Sequence, residues 1–126
     1  SILGFIDHYK RNRMHLALEG LHINPEWVAS LGIEGVEVIP AFIGFTNASH
    51  AENIIKHATE NPHDWLHHRI KEGKEHKIRA DAETAATKNL ERKAEAEEYG
   101  YPFFDVSEYD TYQDFRQAVI DYFIEG

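Results

Sequence analysis

Short apolar runs alternate with longer amphipathic stretches along this chain. Residues 16–18 (Leu-Ala-Leu) form a continuous apolar run that stops at a Glu-Gly pair. A strand that is buried on both faces has this pattern, so we predict a strand over residues 14–19. Similar runs predict a second strand over residues 36–44, in which Pro40 favours an edge position or an interruption, and a third strand over residues 101–107.

Apolar positions on a helical period predict helices between these strands. The helix starts carry capping signals: Asn24 precedes a proline, Ser49 and Glu52 form a capping box, and Asp110-Thr111 precedes the last helix. The predicted helices cover residues 2–12 and 25–31, segments that start at residues 49 and 61, residues 78–99, and a segment from residue 112, with Gly32, Gly73 and Gly100 as breaks. Strands separated by helices pair in parallel through right-handed crossovers, so the predicted fold class is α/β.

Composition narrows the class of protein. The chain has 126 residues, which suits a single α/β domain or the C-terminal half of one, and its first residue, Ser1, predicts a cut or processed start. A formal charge of −9 argues against nonspecific binding to nucleic acid or to an anionic membrane. The lack of cysteine excludes thiol nucleophiles and cysteine-bound zinc, and it fits a cytoplasmic protein. No apolar run has the length of a membrane span.

The charge is uneven, and this points to a local anion site. Eight of the 13 lysines and arginines lie between Arg69 and Lys93. Glu19 follows a predicted strand, at the end where open α/β sheets bind ligands, and Gly20 lets the backbone turn there. A carboxylate at that position suits a phosphate-bound Mg²⁺ or a water molecule.

Four features follow one another in a recognisable order. A strand ends in Glu-Gly-x-His-x-x-Pro; a second strand follows; a helical segment carries spaced arginines and lysines; and a long helix runs into Gly-x-Pro-Phe-Phe-Asp-Val-Ser. In this order the chain resembles, over nearly its whole length, the second half of a P-loop small-molecule kinase of the nucleoside, nucleotide and 2-phosphoglycerate kinase group.

The resemblance implies a three-layer fold of P-loop NTPase type, built on a parallel sheet. It also implies phosphoryl transfer from ATP, with Mg²⁺, to a small-molecule substrate, a reaction that depends on positioning and on neutralising phosphate charge. By position, the resemblance implies that Glu19 holds Mg²⁺ and acts in catalysis, and that His22 and Asn24 contact the substrate. Arg69 and Arg79 would be catalytic cations of a helical lid at about residues 49–80. Lys74, Val106 and Ser107 would bind the nucleotide, the last two in the adenine-contacting loop.

The chain departs from the family pattern in one respect. It contains no Gly-x-x-x-x-Gly-Lys-[Ser/Thr] motif, the loop whose backbone cradles the phosphates. Gly73-Lys74 is the one Gly-Lys pair, and Glu75 follows it. We therefore expect an incomplete P-loop fold that is inactive as this chain alone and is completed by a missing N-terminal segment, by a partner chain or by self-association.

The histidines offer a second hypothesis. His63 and His67 stand four positions apart on a predicted helix, beside Asp64, and two histidines at that spacing can bind one metal ion. A third ligand would have to come from His57 or Glu60.

A third hypothesis is a noncatalytic binding or assembly module. The missing phosphate-binding loop favours this class, and the aromatic residues would then serve packing or a partner surface. No nucleophile elbow surrounds a serine, and no nucleic-acid-binding motif is present.

Overall fold

A computed structural model describes residues 2–12, 15–20 and 23–125 of the chain. Helices make up most of this part. The α-helices are α1 (Ile2–Arg11), α2 (Pro25–Ala29), α3 (Ala51–Glu60), α4 (His67–Lys71), α5 (Glu75–Glu98) and α6 (Tyr112–Glu125), with short 3₁₀ helices over Ala48–His50 and Val106–Glu108.

The sheet pairs β1 (Phe42–Gly44) with β2 (Phe103–Asp105) in parallel. Phe42 lies opposite Phe103, and Gly44 lies opposite Asp105. The chain between the strands forms α3, α4 and α5, as a parallel connection requires. The described residues therefore form a mixed α/β fold, which confirms the predicted class, and their sheet has two strands.

Two predicted strands are shorter than expected, and one is wrong. Residues 15–20, the described part of the strand predicted at 14–19, lie in neither helix nor strand. A strand of this kind needs cover on both faces, whereas Leu16 and Leu18 are 36% and 43% exposed. The strand predicted from residue 36 begins only after Pro40, and the strand predicted over 101–107 gives way to a 3₁₀ turn at Val106.

Local rules predicted several helix ends correctly. Asn24 is the N-cap of α2, where its Oδ1 accepts a hydrogen bond from the Trp27 backbone N–H over 2.8 Å, and Pro25 occupies the first helical position. Gly100, with φ +77°, follows the end of α5. The Thr111 hydroxyl accepts from the Asp114 N–H at the start of α6.

Other boundaries differ from prediction. The capping box at Ser49 does not form: the Asn47 side chain accepts the Ser49 backbone N–H, and a 3₁₀ turn precedes α3. The helix predicted from residue 61 begins at His67, after a turn. Helix α5 begins three residues early, at Glu75, and helix α2 ends before residue 31. Gly73 does separate α4 from α5, with φ +71°.

Two clusters of buried side chains hold these elements. Ile55, Ala58, Leu66 and Ile78 join α3, the turn before α4, and α5. Val28, Phe42 and Ala96 join α2, β1 and the far end of α5. Helix α5 thus spans both clusters and fixes the basic helical segment relative to the strand ends. Within residues 2–12, 15–20 and 23–125, no helix has the length and apolarity that crossing a bilayer requires.

Candidate functional site

A groove of about 470 Å³ lies where β1 and β2 end. Its position matches the rule that open α/β structures bind ligands at the carboxyl ends of parallel strands. Its volume lies within the usual range for small-molecule sites. The lining residues come from the end of β1, from the segments after both strands, and from α3 and α6: Ile43, Gly44, Phe45, His50, Asn53, Val106, Tyr109, Asp110, Thr111, Tyr112 and Phe115.

The backbone at the end of β1 passes close to the side chain of Asn89 on α5. A Cβ atom added at Gly44 would lie 2.7 Å from Cγ of Asn89, which is closer than packed atoms allow. The Asn89 side-chain amide donates to the Phe45 carbonyl oxygen over 3.0 Å. A larger residue at position 44 would therefore displace the Asn89 amide, which holds the backbone after β1.

Asp105 is the last residue of β2 and is buried between the ends of the two strands, with 1% of its surface exposed. Its carboxylate accepts from the backbone N–H of Thr46 over 3.2 Å and of Ser107 over 3.0 Å, and from both hydroxyl groups. Burial acts to raise the pKa of the Asp105 carboxyl, but the hydrogen bonds from Ser107 and Thr46 together outweigh it, so the pKa is lowered. The charged carboxylate is therefore the stable form, and it ties the two segments together.

His50 and Phe45 form one side of the groove, which we call the strand-side wall. Their ring centroids are 5.0 Å apart. The Asn53 amide nitrogen lies 3.3 Å from Nδ1 of His50, so Nδ1 accepts and Nε2 carries the proton of the neutral ring. Burial lowers the pKa of His50, against the opposing effect of the Asp105 charge, and so favours that neutral ring.

Three further aromatic rings line the groove together, and we call them the helix-side wall. Tyr109 meets Phe115 edge-on with centroids 5.7 Å apart, and Tyr112 meets Phe115 at 6.0 Å. Phe115 is buried on α6, so its contact holds Tyr109 against that helix. Aromatic rings in the lining of an open groove favour an organic ligand over a hydrated ion.

The two residues predicted in an adenine-contacting loop lie at this groove. Val106 lines it. Ser107 stands beside it, where its backbone N–H and hydroxyl both donate to Asp105. Through these two hydrogen bonds, Ser107 stabilises the end of β2.

The predicted lid cations lie outside the lining of the groove. Arg79 donates to both carboxylate oxygens of Glu52, over 2.8 and 3.3 Å, and its side chain reaches Glu75 at 3.7 Å. The hydrogen bond to Glu52 raises the pKa of Arg79 and lowers that of the glutamate. Arg79 thus links the start of α5 to the start of α3.

The other two cations predicted to act in this segment, Arg69 and Lys74, also have acidic partners. Arg69 donates to Asp81 over 3.2 Å. Lys74 lies 2.9 Å from Glu72, and this contact lowers the pKa of Glu72. All of these ion pairs are exposed or half-exposed, and such pairs exchange partners at small cost.

Of the residues predicted at the substrate and metal side, Glu19 and Asn24 do not line the groove. Glu19 is exposed, in the stretch 15–20 without regular structure. Asn24 uses its side-chain oxygen to cap α2. His22 lies outside the described residues. The roles expected of these three residues therefore stay predictions.

The histidine pair does not have the predicted geometry. His63 lies in the turn before α4, so it shares no helix with His67. Nδ1–H of His67 donates to the Ala58 carbonyl over 2.6 Å, and Nδ1–H of His57 donates to Asp64 over 2.6 Å. In the described part of the chain, no three histidine, aspartate or glutamate side chains are grouped to hold a metal ion.

Sequence reasoning missed most of the groove. His50, Asn53, Tyr109 and Phe115 stand in no motif, and their types occur commonly on helices and loops. The available signal was positional: all of them follow soon after a strand, at the end where parallel strands meet ligands.

The chain matches no protein-family model, and neither the curated proteins nor the solved structures give a match.

Proposed function

We propose that this chain supplies the adenine-binding part of an ATP-dependent small-molecule kinase. The observation that carries this proposal is the position of Val106, which lines the groove at the carboxyl ends of two parallel strands. The resemblance implies an adenine-contacting loop after the last strand, and Val106 directly follows β2. With this function, we expect the protein to be in the cytoplasm.

The groove suits the base of a nucleotide and not its phosphates. Its volume of about 470 Å³ admits a purine ring. Phe45 and Tyr109 are both among its lining residues, and apolar rings can stack on a flat base. Among the described lining residues none is lysine or arginine, and Asp110 is acidic, so the triphosphate would extend out of the groove.

The phosphates and the metal would meet other residues of the chain. Arg69, Arg79 and Lys74 belong to the expected lid, and their exposed ion pairs can be exchanged for phosphate oxygens. Glu19 is the carboxylate expected at Mg²⁺, which proteins often hold through one or two carboxylates and the phosphates themselves. A phosphate-cradling loop would come from another segment or another chain.

Titration calorimetry with ATP tests this proposal directly. We expect the chain to bind ATP and adenosine, and Val106→Asp to weaken both by about tenfold or more, because it puts a charge against an apolar ring site. Val38→Asp is the matched control, since Val38 is exposed and does not line the groove. No binding of either ligand by the unaltered chain would contradict the proposal.

A noncatalytic binding module is the second candidate. The observation that favours it is that Glu19, Arg69 and Arg79 stand outside the groove lining. Phosphoryl-transfer assays of the protein supplied with its phosphate-binding segment separate the two. Glu19→Gln should abolish turnover of a kinase, whereas adenosine binding without any turnover, in the presence of Mg²⁺, would favour the binding module.

A further inference from the structure

Helix α6 carries apolar side chains beyond the side that packs on the rest of the fold. The packed side is formed by the buried Phe115 and by Tyr122, whose hydroxyl donates to the Pro40 carbonyl over 2.7 Å. A second set of residues recurs along the helix at intervals of three or four, so its members share one side. We call this set the outer stripe, and it consists of Tyr112, Arg116, Ile120, Phe123 and Ile124.

The outer stripe is largely exposed. Ile124 is 77% exposed, and Tyr112 and Phe123 are exposed as well. Ile120, at the middle of the stripe, is half-buried. Single exposed apolar side chains are common on protein surfaces, but several that follow one ridge of a helix form a patch, and such patches mark interaction surfaces. This side of α6 is therefore suited to contact a partner.

Arg116 gives the outer stripe a positive charge. It is the one lysine or arginine after residue 95, a part of the chain that holds nine acidic residues. Even so, none of the ion pairs among the described residues includes Arg116. Its neighbours one turn away on the stripe, Tyr112 and Ile120, are not charged. The exposed guanidinium is therefore available to a carboxylate of a partner.

The last turn of α6 has the opposite charge. It carries Glu125 and no basic residue. The carbonyl end of a helix bears a partial negative charge, so a carboxylate is unfavourable there and a cation is favourable. Arg116 of the same helix lies nine positions earlier, about 13 Å along the axis, which is beyond the reach of its side chain. A cation from outside the chain would stabilise this helix end.

A second copy of the chain satisfies both requirements. In an antiparallel pair of α6 helices with a two-fold axis at Ile120, Arg116 of each copy lies opposite Ile124 of the other, since each is four positions from the axis. Each arginine then reaches the last turn of the other helix, where Glu125 lies, and its stem covers Ile124. We propose that the outer stripe is a self-association surface, which joins two copies of this chain through antiparallel α6 helices.

The size of the surface sets the strength of this dimer. Helix α6 has 14 residues and is about 21 Å long, so the interface lies at the small end of specific interfaces. We expect a reversible dimer with a Kd of about 10–100 µM. The inference goes beyond the proposed function, because Arg116, Ile124 and Glu125 do not line the groove.

Sedimentation equilibrium measures the self-association. We expect the unaltered chain to pass from monomer to dimer between about 5 and about 500 µM. Ile124→Asp should weaken the dimer by about tenfold or more, because it puts a carboxylate into the apolar contact. The matched control is Trp65→Asp, which changes an equally exposed residue in the turn before α4 and should leave the dimer unchanged. A circular-dichroism melt verifies that both variants fold.

An exchange of charges tests the antiparallel arrangement. Arg116→Glu and Glu125→Arg each place like charges at both symmetric contacts, so each should weaken the dimer by about tenfold. An equal mixture of the two single variants should restore association, because every contact of the mixed dimer joins unlike charges.

Three results would overturn the inference. They are a chain that stays monomeric over this range, equal effects of Ile124→Asp and Trp65→Asp, and a mixture that associates no better than either charge variant alone. Each of them leaves the proposed function standing, since that proposal depends on ATP and adenosine binding in the groove.

Discussion

Thr46 and Asp105 join the ends of the two parallel strands. The Thr46 backbone N–H donates to one oxygen of the buried carboxylate over 3.2 Å, and its hydroxyl donates to the other oxygen. Ser107 adds two more donors from the β2 side. One carboxylate therefore satisfies polar groups of both segments that form the groove, and this arrangement can be tested in several ways.

Removal of the carboxylate should destabilise the fold strongly. Asp105→Ala leaves the Thr46 and Ser107 donors without an acceptor, and we expect the free energy of unfolding to fall by about 2–4 kcal/mol. Urea titration followed by circular dichroism measures this change. Asp110→Ala, on the exposed part of the groove, should change it by less than about 0.5 kcal/mol. Equal losses in the two variants would contradict the assigned role of Asp105.

His50 should make stability depend on pH. Its pKa in the fold lies below the ordinary value of 6.5, so the unfolded chain takes up a proton more readily than the folded chain. The contribution of His50 is complete above pH 6.5 and should decrease as the pH falls toward the lowered pKa. In His50→Gln this part of the pH dependence should vanish. Urea midpoints between pH 5 and pH 8 measure it, with the exposed His76→Gln as a control for the loss of a histidine elsewhere.

Gly44 should not tolerate a methyl group. In Gly44→Ala the new Cβ would lie against the Asn89 amide, which would have to move and give up its bond to the Phe45 carbonyl. We expect a loss of about 1–3 kcal/mol in unfolding free energy. Gly32→Ala has no heavy atom within 4 Å of the new Cβ and should be nearly neutral. The double variant Gly44→Ala/Asn89→Ala should recover part of the loss, and an additive result would contradict the steric explanation.

Glu52 should compete with phosphate for Arg79. If Arg79 is a lid cation, Glu52→Gln removes the nearer of its two carboxylate partners and should raise the affinity for ATP severalfold at low salt. Calorimetry at two salt concentrations measures the effect, which should shrink as salt rises. Asp7→Asn removes the partner of Arg11 on α1 and should leave ATP affinity unchanged. No gain from Glu52→Gln would count against a phosphate role for Arg79.

Helix caps and helix breaks could be predicted from the sequence, whereas the burial of segments by distant parts of the chain could not. The Asn24 cap and the breaks at Gly73 and Gly100 follow from the conformational preferences of single residues, so these predictions were correct. The strand at residues 14–19 failed because an apolar run indicates burial only when other elements cover it.

Competition between neighbours explains the other errors. Ser49 was expected to cap a helix with its side chain, but Asn47, two residues earlier, captures the Ser49 backbone N–H. Glu52 was assigned to the same capping box, and a cation 27 positions away holds it instead. The groove residues were missed because their chemistry depends on which two loops meet, and the spacing of residues within either loop does not reveal this.

The link between Thr46 and Asp105 also bears on the order of folding. The two residues are 59 positions apart in the chain, whereas the helices between them depend mainly on neighbouring residues. Closing so long a loop costs entropy that only formed helices and their packing can offset. The strand ends should therefore be among the last parts to assemble and the first to open. A ligand bound in the groove would then slow unfolding more than the number of its contacts suggests, because it stabilises the region that opens first.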